Sequence, residues 1–485
     1  MTRKILGPFN RVEGDLEVKV EITDGVISKA WVNSPLYRGF EQILQGKPPM
    51  DALTYTPRIC GICSVSQSVA CASALAQAQR ITPPPNGQLV SNLILACENL
   101  ADHLTHFYLF FMPDFARDIY QNKPWHKSIA TRFRAQTGTA TATMLKARAE
   151  FMHITGILAG KWPHTLSIQP GGTTTSASAS DKIQLSGILA SFREFLETQL
   201  FADALENISQ LESDDALKAW IENHSQSDFA QFLKIAEDLE LDKLGQINAH
   251  FMSYGVYTFE DKSFLPQGIW TNKHTIGGPS ELDTNLIKED ISNSWMLSQH
   301  GAKHPFQGNT LPDPDQSNGY SWCKAPRYND QVIEVGALAR QVIASHPLAL
   351  DLVKNSQSNV RNRVITRILE LARIIPEMEN WVKQIKPDEP FQVTSRLPDE
   401  AEGQGIIEAA RGSLGHWVHI RNGRILNYQI IAPTTWNFSP RDKDDLAGAL
   451  EQALLETVIN EDGKDSVAIQ HIVRSFDPCM VCTVH

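Results

Sequence analysis

The chain has 485 residues, 42% of them hydrophobic and 20% charged, which is the composition of an ordered globular protein able to bury a large core rather than of a disordered or fibrous one. A formal net charge of −11 repels phosphate backbones and anionic lipid surfaces, so nucleic acid is not an expected partner. No run of about 18 apolar residues occurs, and the opening MTRKILGPFNRVEGDLEV turns polar too soon for a secretory h-region, so neither direct membrane insertion nor export on its own signal is expected.

Residues 16–32, LEVKVEITDGVISKAWV, alternate apolar and polar on either side of Asp24-Gly25, the two-residue turn a β-hairpin prefers. A long helix is predicted over 89–111, where Leu89, Leu93, Ala96, Leu100, Leu104, Phe107 and Phe111 recur at helical spacing and Ile94, Leu95 and Leu109 make the remaining faces apolar as well. A helix apolar all round is a buried one. Further helices are predicted at 141–160, 181–210, 330–355 and 359–384, the last broken by Pro376. Residues 171–180, GGTTTSASAS, read as a flexible connection and 301–328, rich in Pro, Gly, Asn and Asp, as a long loop. A second hairpin is predicted at 417–431 around Asn422-Gly423. The expected fold class is α+β: a predominantly helical bundle with small antiparallel sheets near the N- and C-terminal parts, forming one domain over 1–485.

The seven cysteines are odd in number and irregularly spaced, which disfavours a disulfide framework. Four of them form two C-x-x-C pairs, Cys60/Cys63 and Cys479/Cys482, one near each end of the chain. Two intervening residues let both sulfurs of a pair reach one soft metal ion. A structural four-cysteine zinc is one reading, but zinc pairs of that kind usually stand ~15–20 residues apart and close a small loop, a help a chain of this size does not need. The first pair runs into SVACASALAQAQ, so its thiolates sit where free N–H groups and the helix dipole favour anions, with Gln67 one turn beyond Cys63. The second pair lies in DPCMVCTVH, where an end rich in ligand types implies a tail that is tied down.

Seven spaced segments carry a family resemblance: FNRVEGDL at 9–16, YRGFE at 37–41, RICGIC at 58–63, DHLTHFY at 102–108, ARGSLGHW at 410–417, APTTWN at 432–437 and DPCMVCTVH at 477–485. In that order they resemble the large subunits of [NiFe]-hydrogenases over nearly the full length. The resemblance implies that all four paired cysteines bind nickel, with Cys63 and Cys482 bridging to an iron that carries one CO and two cyanides. Four thiolates and two cyanides against two divalent cations leave about −2, tolerable in a buried site only beside a cation. Arg411 matches the family's arginine above the metals, Thr434 the hydroxyl serving a cyanide, and Asp102 and Asp477 the carboxylates that hold the arginine. An Asp on an apolar helix needs such a partner in any case. Leu414 and Pro433 match the apolar pocket of the CO, a place equally suited to plain core packing, and His164 a histidine near the site. Glu13 matches a proton-relay glutamate and Glu41 a magnesium ligand, with the Ile430 carbonyl and the C-terminal His485 completing that magnesium site.

The implied activity is heterolytic cleavage of H2, with the Cys479 thiolate as base, Arg411 as a rival base or electrostatic support, and Glu13 passing the proton outward. Cys71, Cys97 and Cys323 are too few and too scattered to hold an iron–sulfur cluster, so a small subunit carrying Fe–S clusters is an expected partner. Gln67 stands where most members have histidine, Ile62 where most have valine and Phe110 where most have leucine; Ala410 replaces the usual proline. The Gln67, Ile62 and Phe110 combination resembles the regulatory, H2-sensing branch, which implies slow turnover, signalling through the small subunit to a histidine kinase and a cytoplasmic location. A sequence ending at His485 is consistent with that branch and equally with a processed catalytic chain. The alternative is an uptake enzyme feeding a respiratory chain.

Overall fold

The computed structural model describes residues 2–271, 278–459 and 467–483. The N-terminal alternation folds into a three-stranded antiparallel sheet, β1 (Thr2–Leu6), β2 (Glu17–Thr23) and β3 (Val26–Asn33), in the order β1-β2-β3. Asp24 and Gly25 turn the hairpin with φ of 54° and 79°. The buried face carries Val18, Val20, Ile27, Ala30 and Val32.

Helix α1 (Ser64–Gln79) follows the first cysteine pair, and α2 (Pro85–Thr105) packs beside it. The α-helix predicted to reach Phe111 stops at Thr105, and His106–Phe111 continue as a π-helix, which re-aims the side chains after Asp102. Cys63 stands at the N-cap of α1, and its sulfur makes no cap bond to the helix. Glu98 from α2 takes that part: its carboxylate accepts the Val65 and Ser66 N–H groups at 2.8 and 2.9 Å, the Ser66 hydroxyl at 3.0 Å and the Trp162 indole N–H at 3.0 Å. Burial pushes the Glu98 carboxyl up to about 7 against the pull of these donors.

A hairpin that the sequence reading missed, β4 (His250–Phe259) and β5 (Lys262–Trp270), turns through Glu260 and Asp261 at φ 47° and 65°. Asp261 is a turn-type residue, but no glycine and no Asn-Gly or Asp-Gly pair accompanies it, so the local signal was weak. The predicted 330–355 helix is in fact α3 (Ala337–Ile343) and a second helix at Pro347–Ser356, after a two-residue strand, Ile333–Glu334, that pairs with β4. Helix α4 (Val360–Gln384) runs unbroken through Pro376, contrary to the predicted break. Burial of Val364, Ile368, Leu371, Ile375, Met378 and Val382 along it outweighs the one lost N–H bond. The 171–180 segment is not a loose connection: Gly172–Thr173 pairs with Ile168–Gln169, and Ser178 opens the next helix with a capping box.

The C-terminal sheet has three strands, β6 (Ala401–Ala409), β7 (Gly412–Arg421) and β8 (Arg424–Ile431), one more than the hairpin predicted around Asn422-Gly423. Small residues let α1 lie directly on β6: a Cβ on Gly405 would stand 2.0 Å from the Ala70 carbonyl oxygen. Short helix α5 (Pro433–Asn437) and α6 (Val467–Ser475) then lead to the second cysteine pair. One apolar cluster joins residues of both ends, Leu16 and Val20 with Ile472 and Met480. Among the described residues no helix is long and apolar enough to cross a membrane. Mixed helix with small antiparallel sheets is the α+β class expected.

Glu98→Gln puts an N–H donor against N–H donors at the start of α1. It is expected to cost about 1–3 kcal/mol, measurable as a lower denaturation midpoint, whereas an unchanged midpoint would show that α1 needs no carboxylate there.

Candidate metal centre

Residues 9–16 leave β1 and run beside the C-terminal segment. The Glu13 N–H donates to the Pro478 carbonyl at 3.3 Å and the Met480 N–H to the Glu13 carbonyl at 2.7 Å, a short parallel pairing that ties the two chain ends together. Gly14, at φ 82°, allows the approach, since a Cβ there would stand 2.9 Å from Val481 Cγ1.

This pairing delivers Cys479 and Cys482 to Cys60 and Cys63. The four Sγ atoms lie within 4.8 Å of one another, with separations of 2.9 Å for Cys479–Cys482, 3.3 Å for Cys63–Cys482 and 3.4 Å for Cys60–Cys479. All four are buried and none forms a disulfide. Contact with the other three sulfurs, and then burial, raise the Cys63 thiol well above its ordinary value, while burial raises Cys479 likewise. Four buried thiolates cannot coexist without cations between them, and soft donors select nickel, iron, zinc or copper(I). The donor set therefore fits a nickel-containing centre.

Arg411 closes one side of this centre from the β6–β7 turn. Its guanidinium contacts Asp102 Oδ2 at 2.6 Å and Asp477 Oδ1 at 3.2 Å, and its Nε–H donates to the Asp477 carbonyl at 2.8 Å. Burial raises Asp102 to about 7 against the pull of Arg411, whereas Arg411 and His106 carry Asp477 below the usual carboxylate value despite its burial. The expected arginine–carboxylate triad is thus assembled from α2, the β6–β7 turn and the C-terminal segment.

Arg340 on α3, which the sequence reading did not single out, sets that turn. Its Nε and Nη2 grip Glu370 at 2.8 Å each, its Nη1 meets Glu408 at 2.9 Å, and Nη1 and Nη2 donate to the carbonyls of Ala409 and Ala410 at 2.8 and 3.0 Å. Every guanidinium N–H is used, and the two carbonyls held are those just before Arg411. No local signal marks Arg340, because its partners lie 30 to 70 residues away in the chain.

Thr434 accepts the Cys479 N–H at 3.0 Å, which leaves its own O–H free to donate toward the pocket. Leu414 and Pro433 are buried beside it. His164 donates from Nδ1 to the Pro57 carbonyl at 3.0 Å and so steadies the loop entering Cys60. Glu13 is half-buried, and burial followed by the Cys60 charge raises its carboxyl. Gln67 is buried one turn after Cys63, its backbone N–H bonded to the Cys63 carbonyl at 3.1 Å.

Glu41 is fully buried away from the four sulfurs' ligand set. It accepts the Ile430 N–H at 2.7 Å and the Thr310 hydroxyl, and Lys324 Nζ lies 3.5 Å away while reaching Glu289 at 2.9 Å and Gln429 Oε1 at 3.0 Å. The Ile430 N–H bond to Glu41 leaves the expected role of the Ile430 carbonyl untouched, and the expected ligand His485 lies outside the described residues. The oxygens of Glu41, Glu289, Gln429 and Thr310 are the donor type magnesium takes, and Lys324 is a cation that sequence reading missed.

Fold and centre together define a protein in which segments near the two ends of the chain close over a buried cluster of four cysteine sulfurs suited to metal. The family of nickel-dependent hydrogenases matches residues 38–141 and 140–485, and this chain belongs to it. The periplasmic [NiFeSe] hydrogenase large subunit of Desulfomicrobium baculatum is 30% identical, covering 99% of this chain and 94% of that protein. The hydrogenase-2 large chain of Escherichia coli K12 is 26% identical over 100% of this chain and 97% of its own. Among solved structures, the reduced Ni-Fe-Se hydrogenase of D. vulgaris Hildenborough superimposes with a TM-score of 0.84 at 26% identity, with 100% of each chain covered. The chain is thus a hydrogenase large subunit, as its motifs implied.

Arg340→Lys retains the charge but cannot reproduce the five-donor fork. It is expected to destabilise the protein by about 1–3 kcal/mol, through acceptors left unsatisfied, and to reduce the nickel retained after purification. Parent-like melting together with parent-like nickel content would show that Arg411 needs no such support.

Proposed function

We propose that this large subunit activates H2 at a nickel–iron centre held by Cys60, Cys63, Cys479 and Cys482, with one CO and two cyanides on the iron. The observation that carries this is the convergence of four buried sulfurs within 4.8 Å, beside one arginine shared by two carboxylates. When bound, the metal pair supplies the Lewis acid that heterolytic cleavage of so weak an acid as H2 requires. The protein's own part is to take the proton and remove it. The Cys479 sulfur receives it, and the raised Glu13 carboxyl, on the strand paired with Cys479, accepts it next and hands it toward solvent. Arg411 balances the thiolate charge, held in place by Asp102 and Asp477, and the Thr434 hydroxyl, Leu414 and Pro433 line the place of the diatomic ligands. Gln67 donates to the Cys63 sulfur. Magnesium bound through Glu41, the Ile430 carbonyl and His485 would brace the C-terminal segment, and the whole of 1–485 acts as one unit.

Electrons leave through a partner. Cys71, Cys97 and Cys323 are buried singly and form no cluster site with one another among the described residues, so a small subunit bearing Fe–S clusters is the acceptor. The finer reading is a regulatory, H2-sensing hydrogenase of slow turnover, in the cytoplasm, signalling through the small subunit to a histidine kinase. Gln67, Ile62 and Phe110 support it: Ile62 lies between the first two cysteines, Phe110 in the π-helical turn after Asp102, and both are half-buried where bulk narrows a gas path. A second reading, a catalytic uptake subunit, is favoured by relatives such as the uptake hydrogenase large subunit of Afipia carboxidovorans, 25% identical over 100% of this chain. A twin-arginine signal on the small subunit would decide for uptake.

Infrared spectra of the purified heterodimer are expected to show CO and cyanide stretching bands together with nickel by metal analysis; zinc alone, without such bands, would overturn the nickel–iron reading. Cys479→Ser is expected to abolish H2-dependent dye reduction while the complex still assembles, and full activity would dismiss Cys479 as the base. Ile62→Val combined with Phe110→Leu is expected to raise sensitivity to O2, whereas unchanged O2 tolerance would remove the gate.

A further inference from the structure

Of the eight arginines buried among the described residues, seven form an ion pair with a carboxylate. Arg367, 4% exposed on α4, forms none among these residues. Its Nη1 donates to two carbonyls, that of Arg363 one turn back at 3.2 Å and that of Ser475 at 2.5 Å, and its Nε–H has no partner. Ser475 ends α6, two residues before Asp477 and four before Cys479. Arg363 grips the same segment, its guanidinium 3.8 Å from the centre of the Phe476 ring, and yet is paired with Glu334 at 2.9 Å.

The end of α6 does not by itself explain an unpaired charge at this depth. A helix C-terminus favours a cation, but a neutral N–H satisfies a carbonyl equally well. His106, whose ring burial pushes down to about 3, serves the Arg474 carbonyl in that way at 2.7 Å. For Arg367 burial comes first, and Arg411, Arg340 and Arg363 add to it against the pull of Asp477, bringing the guanidinium down to about 10. It is still charged at pH 7. A buried charge in such company needs an anion to balance it. The metal centre has negative charge to spare, since four thiolates and two cyanides against two divalent cations leave about −2. Arg411 does not cancel this, because Asp102 at 2.6 Å and Asp477 at 3.2 Å already claim its charge. Even with a proton on Asp102, which burial raises to about 7, those three residues are only neutral together.

We infer that Arg367 is the buried cation that offsets the residual negative charge of the metal centre, acting through space from α4 across the Ser475–Cys479 segment that it also holds. The inference rests on the nickel–iron reading. Charge of this kind reaches further in a water-free interior than at a surface, because little solvent lies between to screen it. It also gives the two arginines separate tasks: Arg411 is fixed in place by its carboxylates, and Arg367 carries the positive charge that those carboxylates take from Arg411.

The test is infrared spectroscopy of the purified, nickel-loaded heterodimer, read as the position of the CO band, with nickel content and melting temperature alongside. Arg367→Gln keeps an N–H for the Ser475 carbonyl but removes the charge. It is expected to lower the CO frequency, because an iron left more electron-rich returns more density to CO. Arg367→Lys keeps the charge and is expected to leave the band at its parent position. A helix cap alone predicts a parent-like band in both. An unmoved band in Arg367→Gln, or a band in Arg367→Lys displaced as far as in Arg367→Gln, would overturn the inference. Should folded Arg367→Gln hold no nickel, the comparison passes to nickel content: parent-like nickel in Arg367→Lys supports the charge, and its loss there too overturns it. A parent protein without any diatomic band sinks the nickel–iron reading instead, so the two failures are told apart.

Discussion

Four anionic sulfurs brought together in a water-free interior repel one another, and the architecture answers that repulsion from both ends of the chain. The backbone pairing of Glu13 with Pro478 and Met480 forces the second cysteine pair against the first. Without metal the protons are shared unequally: contact with the other sulfurs raises Cys63 and burial raises Cys479, while bonds from the other three lower Cys60. Together they form a site whose charge only metal cations can balance. Arg411, on the β6–β7 turn, feels the charge of Cys479 and Cys63 and is shared with Asp102 and Asp477, so its position is as constrained as that of the sulfurs.

The support behind that constraint is arranged by distance from the centre. Arg340 spends all five guanidinium donors on Glu370, Glu408 and the two carbonyls before Arg411, which makes a turn behave as a rigid element. Glu98 caps α1 in place of Cys63, whose side chain faces the other sulfurs instead. His416, on the sheet on which α1 rests, meets both Gln67 and Tyr428 at 2.8 Å. In each case a polar group from a distant element satisfies donors or acceptors that a metal ligand or its neighbour leaves open.

Hydrogenase chemistry asks for this division of labour. Cleavage needs a base within reach of the bound gas, and its removal of the proton needs a carboxyl whose affinity for the proton is close to that of the donor. Glu13 is half-buried beside Cys60, and burial followed by the Cys60 charge raises its carboxyl, which supports the relay role proposed for it. Electron removal has no comparable path inside this chain, whose other cysteines are single and buried.

The cysteines that converge, the Asp that meets Arg411 and the hairpin turns were legible in the sequence because their signals are local: C-x-x-C spacing, Asp102 inside an apolar helix, Asp-Gly and Asn-Gly turns between alternating strands, and a tail dense in ligand types. Glu98, Arg340, His416 and Lys324 were not, since a buried Glu, Arg, His or Lys looks in sequence like any surface or core residue until its distant partners are known. The β4–β5 hairpin escaped for want of a turn signal, and α4 passed through Pro376 because burial along its length exceeds one lost hydrogen bond. Local spacing determined which atoms can bind metal and where the sheets turn. Only the tertiary structure decided which charges face one another, because buried charge is balanced through space, between residues that chain order does not relate.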